Sequence, residues 1–268
     1  MLALAAPPQA TAAAPAPPSL TTAEEAELQH NIVLGALLYR YDQSAWHVTD
    51  AALAALPEDA KELIRGYVTA TAQSGLRTTF FGDGPHGYQA LYSAVWTGSA
   101  IEDVQPYTAG QKRPLSDQEV RLIEARKIAL DGAKDLAMCS SAPPNVIVVP
   151  DPDNRTIHVY VMTPETKNGV YPLGGHHRID VRNGAIVGQR AFTKSCIDFD
   201  ASAVGDKGVP ESAVITHLLD PVPTEIHVFS ALAMHLPLYV AVRDGRVYVV
   251  EASGGDPRVR LVSKLPAP

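Results

Sequence analysis

Basic residues are in deficit, cysteine is nearly missing and aromatic rings are sparse. In 268 residues, 22 Lys and Arg stand against 29 Asp and Glu, with two cysteines and 6% Phe, Trp and Tyr. The formal net charge of −7, with no run of Lys or Arg longer than two, leaves no electrostatic footprint for a phosphate backbone or an anionic lipid surface. Nucleic acid is therefore not expected as a partner. No uninterrupted apolar stretch reaches the roughly 18 to 20 residues a helix needs to cross a bilayer, so no membrane insertion is expected either.

Nucleophile and phosphate motifs are missing too. Ser195 has no Gly-x-Ser-x-Gly elbow around it. The glycine-rich stretch Gly82–Gly87 lacks both the strand-to-helix context of a dinucleotide fingerprint and the Gly-Lys-Ser/Thr of a P-loop, and reads as a hairpin loop. Cys139 and Cys196 have no C-x-x-C partner and no adjacent histidine, which disfavours a nucleophilic or zinc role. Two readings stay open for them: one disulfide in an exported protein, or two separate buried thiols.

What the chain does contain is the composition of a folded body, 46% hydrophobic and 19% charged. The fold class expected is α+β: a helix followed by mainly antiparallel sheet, in two lobes, 22–113 and 114–268. Residues 1–21 stand apart. Met1-Leu-Ala-Leu-Ala-Ala6 and the Ala/Pro-rich run behind it read as the end of a secretory h-region with its small-residue cleavage zone, though without a positively charged start. The alternative is an Ala/Pro-rich leader on a cytosolic chain. The first reading implies a periplasmic or secreted protein.

Thr22-Ala-Glu-Glu25 is a capping-box pattern and opens a helix over about 23–40, carried by Leu28, Ile32, Leu34, Leu37 and Leu38. Helical turns are expected on either side of Pro57, and a hairpin pairs 78–81 with 88–92. Ser116-Asp-Gln-Glu119 is a second capping box, opening a helix that runs towards Met138. Strands are expected at 145–149, 156–162, 175–181, 185–192, 238–242 and 246–250, and a short helix at 224–234. Asn183-Gly184 and Asp244-Gly245 predict type I′ hairpin turns, because both dipeptides supply positive φ.

The densest polar segment is Thr216-His217-Leu-Leu-Asp220-Pro-Val-Pro-Thr224-Glu225-Ile-His227, placed at a strand end and a helix start. Imidazoles and carboxylates converging there could hold a divalent metal and accept a proton from its bound water. Residues 118–252 resemble, in order of elements, the JAB/MPN domain of zinc-dependent deubiquitinating and related isopeptidases. In that family a strand ends in His-x-His-Pro and Ser-x-x-Asp begins the following helix. Here His217 matches the second histidine and Thr224 the serine, while Ile215 stands at the first histidine's place and His227 at the aspartate's. Glu165 lies in the general region of the family's catalytic glutamate. The resemblance implies zinc held by His217, His227 and a carboxylate, Asp220 or Glu225, with amide or isopeptide hydrolysis as the activity.

Gly174-Gly-His176-His177-Arg178-Ile-Asp180 offers a further ligand, His176, if it meets His217 and His227 in space. Strand alternation otherwise leaves one of the two histidines exposed and the other packed. His158 and His235 read as core or rim residues outside any site. Two functions follow from these readings. One is an exported module that binds a protein or peptide partner, in which the His217 segment only caps a helix; the other is the zinc hydrolase.

Overall fold

The computed structural model describes residues 19–85, 87–107, 113–151, 155–202, 208–252 and 256–264. The expected leader falls, apart from its last few residues, outside them. The fold is mixed α+β, with one long helix, three shorter ones and fourteen strands among the described residues, mostly in antiparallel sheets.

Helix α1 spans Thr22–Ala55, 15 residues beyond the expected end. Its core face follows helical spacing throughout, through Leu34, Leu38, Tyr41, Ala45, Val48 and Ala52. Asp42, Gln43 and Trp46, interleaved with these residues, lie on another face and hide that periodicity in the sequence. The cap is also shifted by one residue: Thr21, not Thr22, pairs reciprocally with Glu24. Both registers satisfy the Thr-x-x-Glu pattern.

After the one-turn α2 (Glu58–Lys61) comes a four-stranded antiparallel meander, β1 (Gly66–Thr71), β2 (Leu76–Gly84), β3 (Gly87–Trp96) and β4 (Ile101–Pro106). It contains the expected hairpin. Helix α3 (Asp117–Gly132) carries the Ser116/Glu119 capping box and stops six residues short of Met138. A second sheet, ordered β5 (Asn145–Pro150), β6 (Thr156–Met162), β8 (His177–Arg182), β9 (Ala185–Ala191), follows it. Two three-residue strands, β7 (Val170–Pro172) and β10 (Asp198–Asp200), pair beside it.

In the last sheet β11 (Ala213–His217) runs parallel to β12 (Leu238–Val242), and α4 (Glu225–Met234) makes the crossover between them. β13 (Arg246–Glu251) and β14 (Arg258–Lys264) complete it antiparallel. Asn183 and Gly184 take the two positive φ angles, 51° and 73°, that a type I′ turn requires. The Asp244-Gly245 turn differs from expectation: only Gly245 is left-handed, with φ 84°, and its N–H returns to the Val242 carbonyl at 3.0 Å.

Packing crosses residue 113. One core joins Val68 and Phe81 to Leu122, Val146 and Ile179, and another joins Leu34, Leu38 and Tyr41 of α1 to Ile147, Tyr160 and Ile226. Helix α1 is the shared wall, touching the first meander, β5 and α4. Cys139 and Cys196 are disulfide-bonded, with Cα atoms 5.4 Å apart. The chain passes this bridge through Gly174 and Gly175. A Cβ on Gly175 would stand 2.6 Å from the Cys139 sulfur, and its φ of 72° is left-handed as well.

Candidate functional site

The His217 segment is where the sequence places it, with β11 ending at His217 and α4 opening after Thr224. Its side chains are committed to one another. His217 Nε2 lies 2.8 Å from Asp220 Oδ2, and the same oxygen accepts from Arg190 at 2.7 Å. Burial pushes the Asp220 carboxyl up, but His217 and Arg190 outweigh it and hold the group below the usual carboxylate range.

His227 Nδ1 accepts the backbone N–H of Thr224 at 2.9 Å, with the Thr224 hydroxyl 3.0 Å from the same nitrogen. The ring stands at the third helical position and closes a capping box usually closed by Glu or Gln. A nitrogen that accepts bears no proton, so the neutral ring carries its hydrogen on Nε2. Burial first, then His217 4.6 Å away ring to ring, lowers the pKa of His227 to about 3.

Glu225 is 1% exposed and accepts from Arg178 at 2.5 Å and from the Tyr160 hydroxyl at 3.2 Å. Burial, and then Glu225 itself, push the Tyr160 hydroxyl well above its usual range. His176 and His177 are both buried, which corrects the expectation that one would be exposed. The reason is local: His176 precedes the strand and gives Nε2–H to the Pro172 carbonyl at 2.9 Å, while His177 Nε2 lies 3.2 Å from the Ala137 carbonyl. Among the described residues, no group of three or more His, Cys, Asp and Glu side chains is placed to hold a metal ion. Glu225 and Asp220, expected as proton acceptors, are each ion-paired to an arginine.

A different site emerges where α1, the start of β5, the end of β6 and the last turn of α4 meet. It is a cleft of about 740 Å³. Helix α1 supplies one wall from a single stripe, Tyr39, Asp42, Gln43, Trp46 and Thr49, spaced three and four residues apart. Trp46 is 56% exposed, which is unusual for the largest apolar side chain. Asp42 is partly buried. Its Oδ1 accepts from Asn145 Nδ2 at 2.7 Å, and Asn145 Oδ1 accepts from the Tyr67 hydroxyl at 2.7 Å.

This three-residue relay ties α1 to β5 and β1. Burial pushes Asp42 up to about 6 against the opposing hydrogen bond from Asn145, and burial with the nearby Asp42 pushes the Tyr67 hydroxyl upward. Phe229 and His235 from α4, and Tyr171 and His176 from the segment around β7, line the other side. His176 is the one metal candidate of the sequence that reaches this cleft. His235, read as a rim residue, is the αL cap of α4 with φ 53° and is exposed.

Compared with family models, curated proteins and solved structures, the chain shows no match.

Proposed function

We propose that the chain is an exported binding module that takes its ligand in the cleft between α1 and α4. The observation that carries this reading is the pairing of an exposed Trp46 with the Asp42–Asn145–Tyr67 relay on the wall of one cavity of about 740 Å³. A large, mostly apolar concavity with a few fixed polar groups is the usual form of a small-molecule or peptide-side-chain site. Export is supported by the Cys139–Cys196 bond, which persists in oxidising compartments, and by the leader-like composition of residues 1–21. No described helix is long and apolar enough to cross a membrane.

The zinc-hydrolase reading draws less support. Of its expected ligands, His227 spends its Nδ1 lone pair on the Thr224 N–H, His217 turns Nε2 to Asp220, and the carboxylates Asp220 and Glu225 are paired with Arg190 and Arg178.

A thermal-shift screen of a small-molecule and peptide library against wild type and Trp46→Ala tests the binding reading. Compounds that raise the wild-type Tm but not that of the variant support it. A library that moves neither protein counts against it.

A further inference from the structure

The chemistry of the cleft narrows its ligand. Asp42 is a carboxylate to which the side chains of Asn145 and Gln43 bring neutral N–H groups, and no Lys or Arg is among the groups that act on it. Holding an ionised carboxylate partly out of water without a cation is unfavourable, whereas other buried acids of this fold have an arginine: Arg113 for Glu119, Arg178 for Glu225 and Arg190 for Asp220. Asp42 lines the cleft, and Glu119, Glu225 and Asp220 are not among the residues that line it.

Of the nearby fixed cations, Arg126 acts on Tyr67 at the far end of the relay and is not among the residues that line the cleft. Lys167, the basic lining residue, lies 3.9 Å from Asp200 and is 72% exposed. His176 is kept neutral by burial, which lowers its pKa to about 4. Glu165 adds a second acid at the mouth, its Oε1 accepting the Gly169 N–H at 2.8 Å. Aromatic rings make up much of the remaining wall: Tyr39 and Trp46 lie about one turn to either side of Asp42 on α1, and Tyr67, Tyr171 and Phe229 come from elsewhere. The face of each ring is the negative end of a quadrupole and attracts a cation, most strongly when water is excluded.

The geometry points to an organic ammonium as the ligand, its cationic head against Asp42 and its carbon skeleton against the rings of Tyr39, Trp46 and Phe229. A free amine and a lysine side chain share this chemistry. The assignment rests on reading the cleft as the binding site. It goes further, in that it requires charge selectivity.

Three probes of like shape test it by isothermal titration calorimetry on the full chain: phenethylammonium, phenethyl alcohol and phenylacetate. The ammonium is expected to bind about tenfold or more tightly than the alcohol, with phenylacetate weakest. Asp42→Asn keeps the acceptor for Asn145 and is expected to reduce the ammonium to the affinity of the alcohol. An ammonium bound no more tightly than the alcohol overturns this inference and leaves the cleft reading standing. Three probes without saturable heat up to their solubility limits overturn both. The wild-type comparison decides alone should the variant not fold, and a lysine-containing tripeptide against its norleucine analogue then separates a peptide ligand from a free amine.

Discussion

The imidazole of His227 accepts the N–H of Thr224 at 2.9 Å, so a histidine closes the capping box of α4 where glutamate or glutamine usually does. A residue expected as a metal ligand thereby acquires a structural role that accounts for its burial, its tautomer and its neutrality. His227→Ala leaves that N–H buried without an acceptor and should destabilise by about 2 kcal/mol. His227→Gln supplies an acceptor and should recover most of the loss; chemical denaturation of both variants measures it.

Acid should unfold the protein through the same ring. His227 is held neutral down to about 3 and His176 down to about 4, burial being the leading cause for each, while both accept a proton near pH 6.5 once unfolded. The groups facing His227 are His217, Asp220, Arg190 and His176. Because the folded-state pKa values are depressed, the stabilisation is complete above about pH 6.5 and is lost as pH falls towards the folded values. The Tm should decline from pH 7 to 5, and His227→Gln should flatten that slope by about one proton.

Asp42 should behave in the opposite sense. Its folded pKa is raised to about 6, so the unfolded chain gives up this proton first, and the cost of the ionised group grows from about pH 4 and is full above about 6. Tyr39 and Tyr67 lie beside it, and Glu165, Lys167, His176 and His235 line the same cleft. Asp42→Asn should be more stable than wild type at pH 7 to 8 and equal to it near pH 4, read as the difference in Tm between the two proteins. Stability gained by removing a polar group is the expected mark of a residue kept for binding.

The bridge between Cys139 and Cys196 closes a loop over a sequence separation of 57 residues. Reducing it, or making the double serine variant, should cost about 4 kcal/mol in the chain-entropy model. Gly175→Ala should also destabilise the oxidised protein, because the added Cβ meets the Cys139 sulfur at 2.6 Å in a left-handed backbone. Denaturant midpoints with and without reductant distinguish the two effects.

The elements legible in the sequence were those with local signals. Asn183-Gly184, the two-sided alternation of the strands around it, Ser116 to Glu119 and the 224–234 helix all stand in the structure, since each is determined within a few residues. The far half of α1 was not, because its cleft-facing stripe from Tyr39 to Thr49 mixes aromatic and polar side chains with the buried face. Edge strand β4, mostly exposed, and the three-residue β7 and β10 carry too little pattern to be read. The His217 segment stands out in the sequence because its polar residues are contiguous. The cleft draws Asp42, Tyr67, Asn145, Tyr171 and Phe229 from five separate parts of the chain, and no local motif can announce such an assembly. Its one sequence trace is the spacing of Tyr39, Asp42, Gln43 and Trp46 on a single helical face.

The central claim is that recognition belongs to the cleft and that the His217–His227 cluster is structural. The most direct measurement is a calorimetric titration of phenethylammonium into wild type, Trp46→Ala and His227→Gln. The account predicts weakened binding in Trp46→Ala and wild-type affinity in His227→Gln. Binding untouched by Trp46→Ala but lost in a folded His227→Gln would contradict it and return function to the histidine cluster.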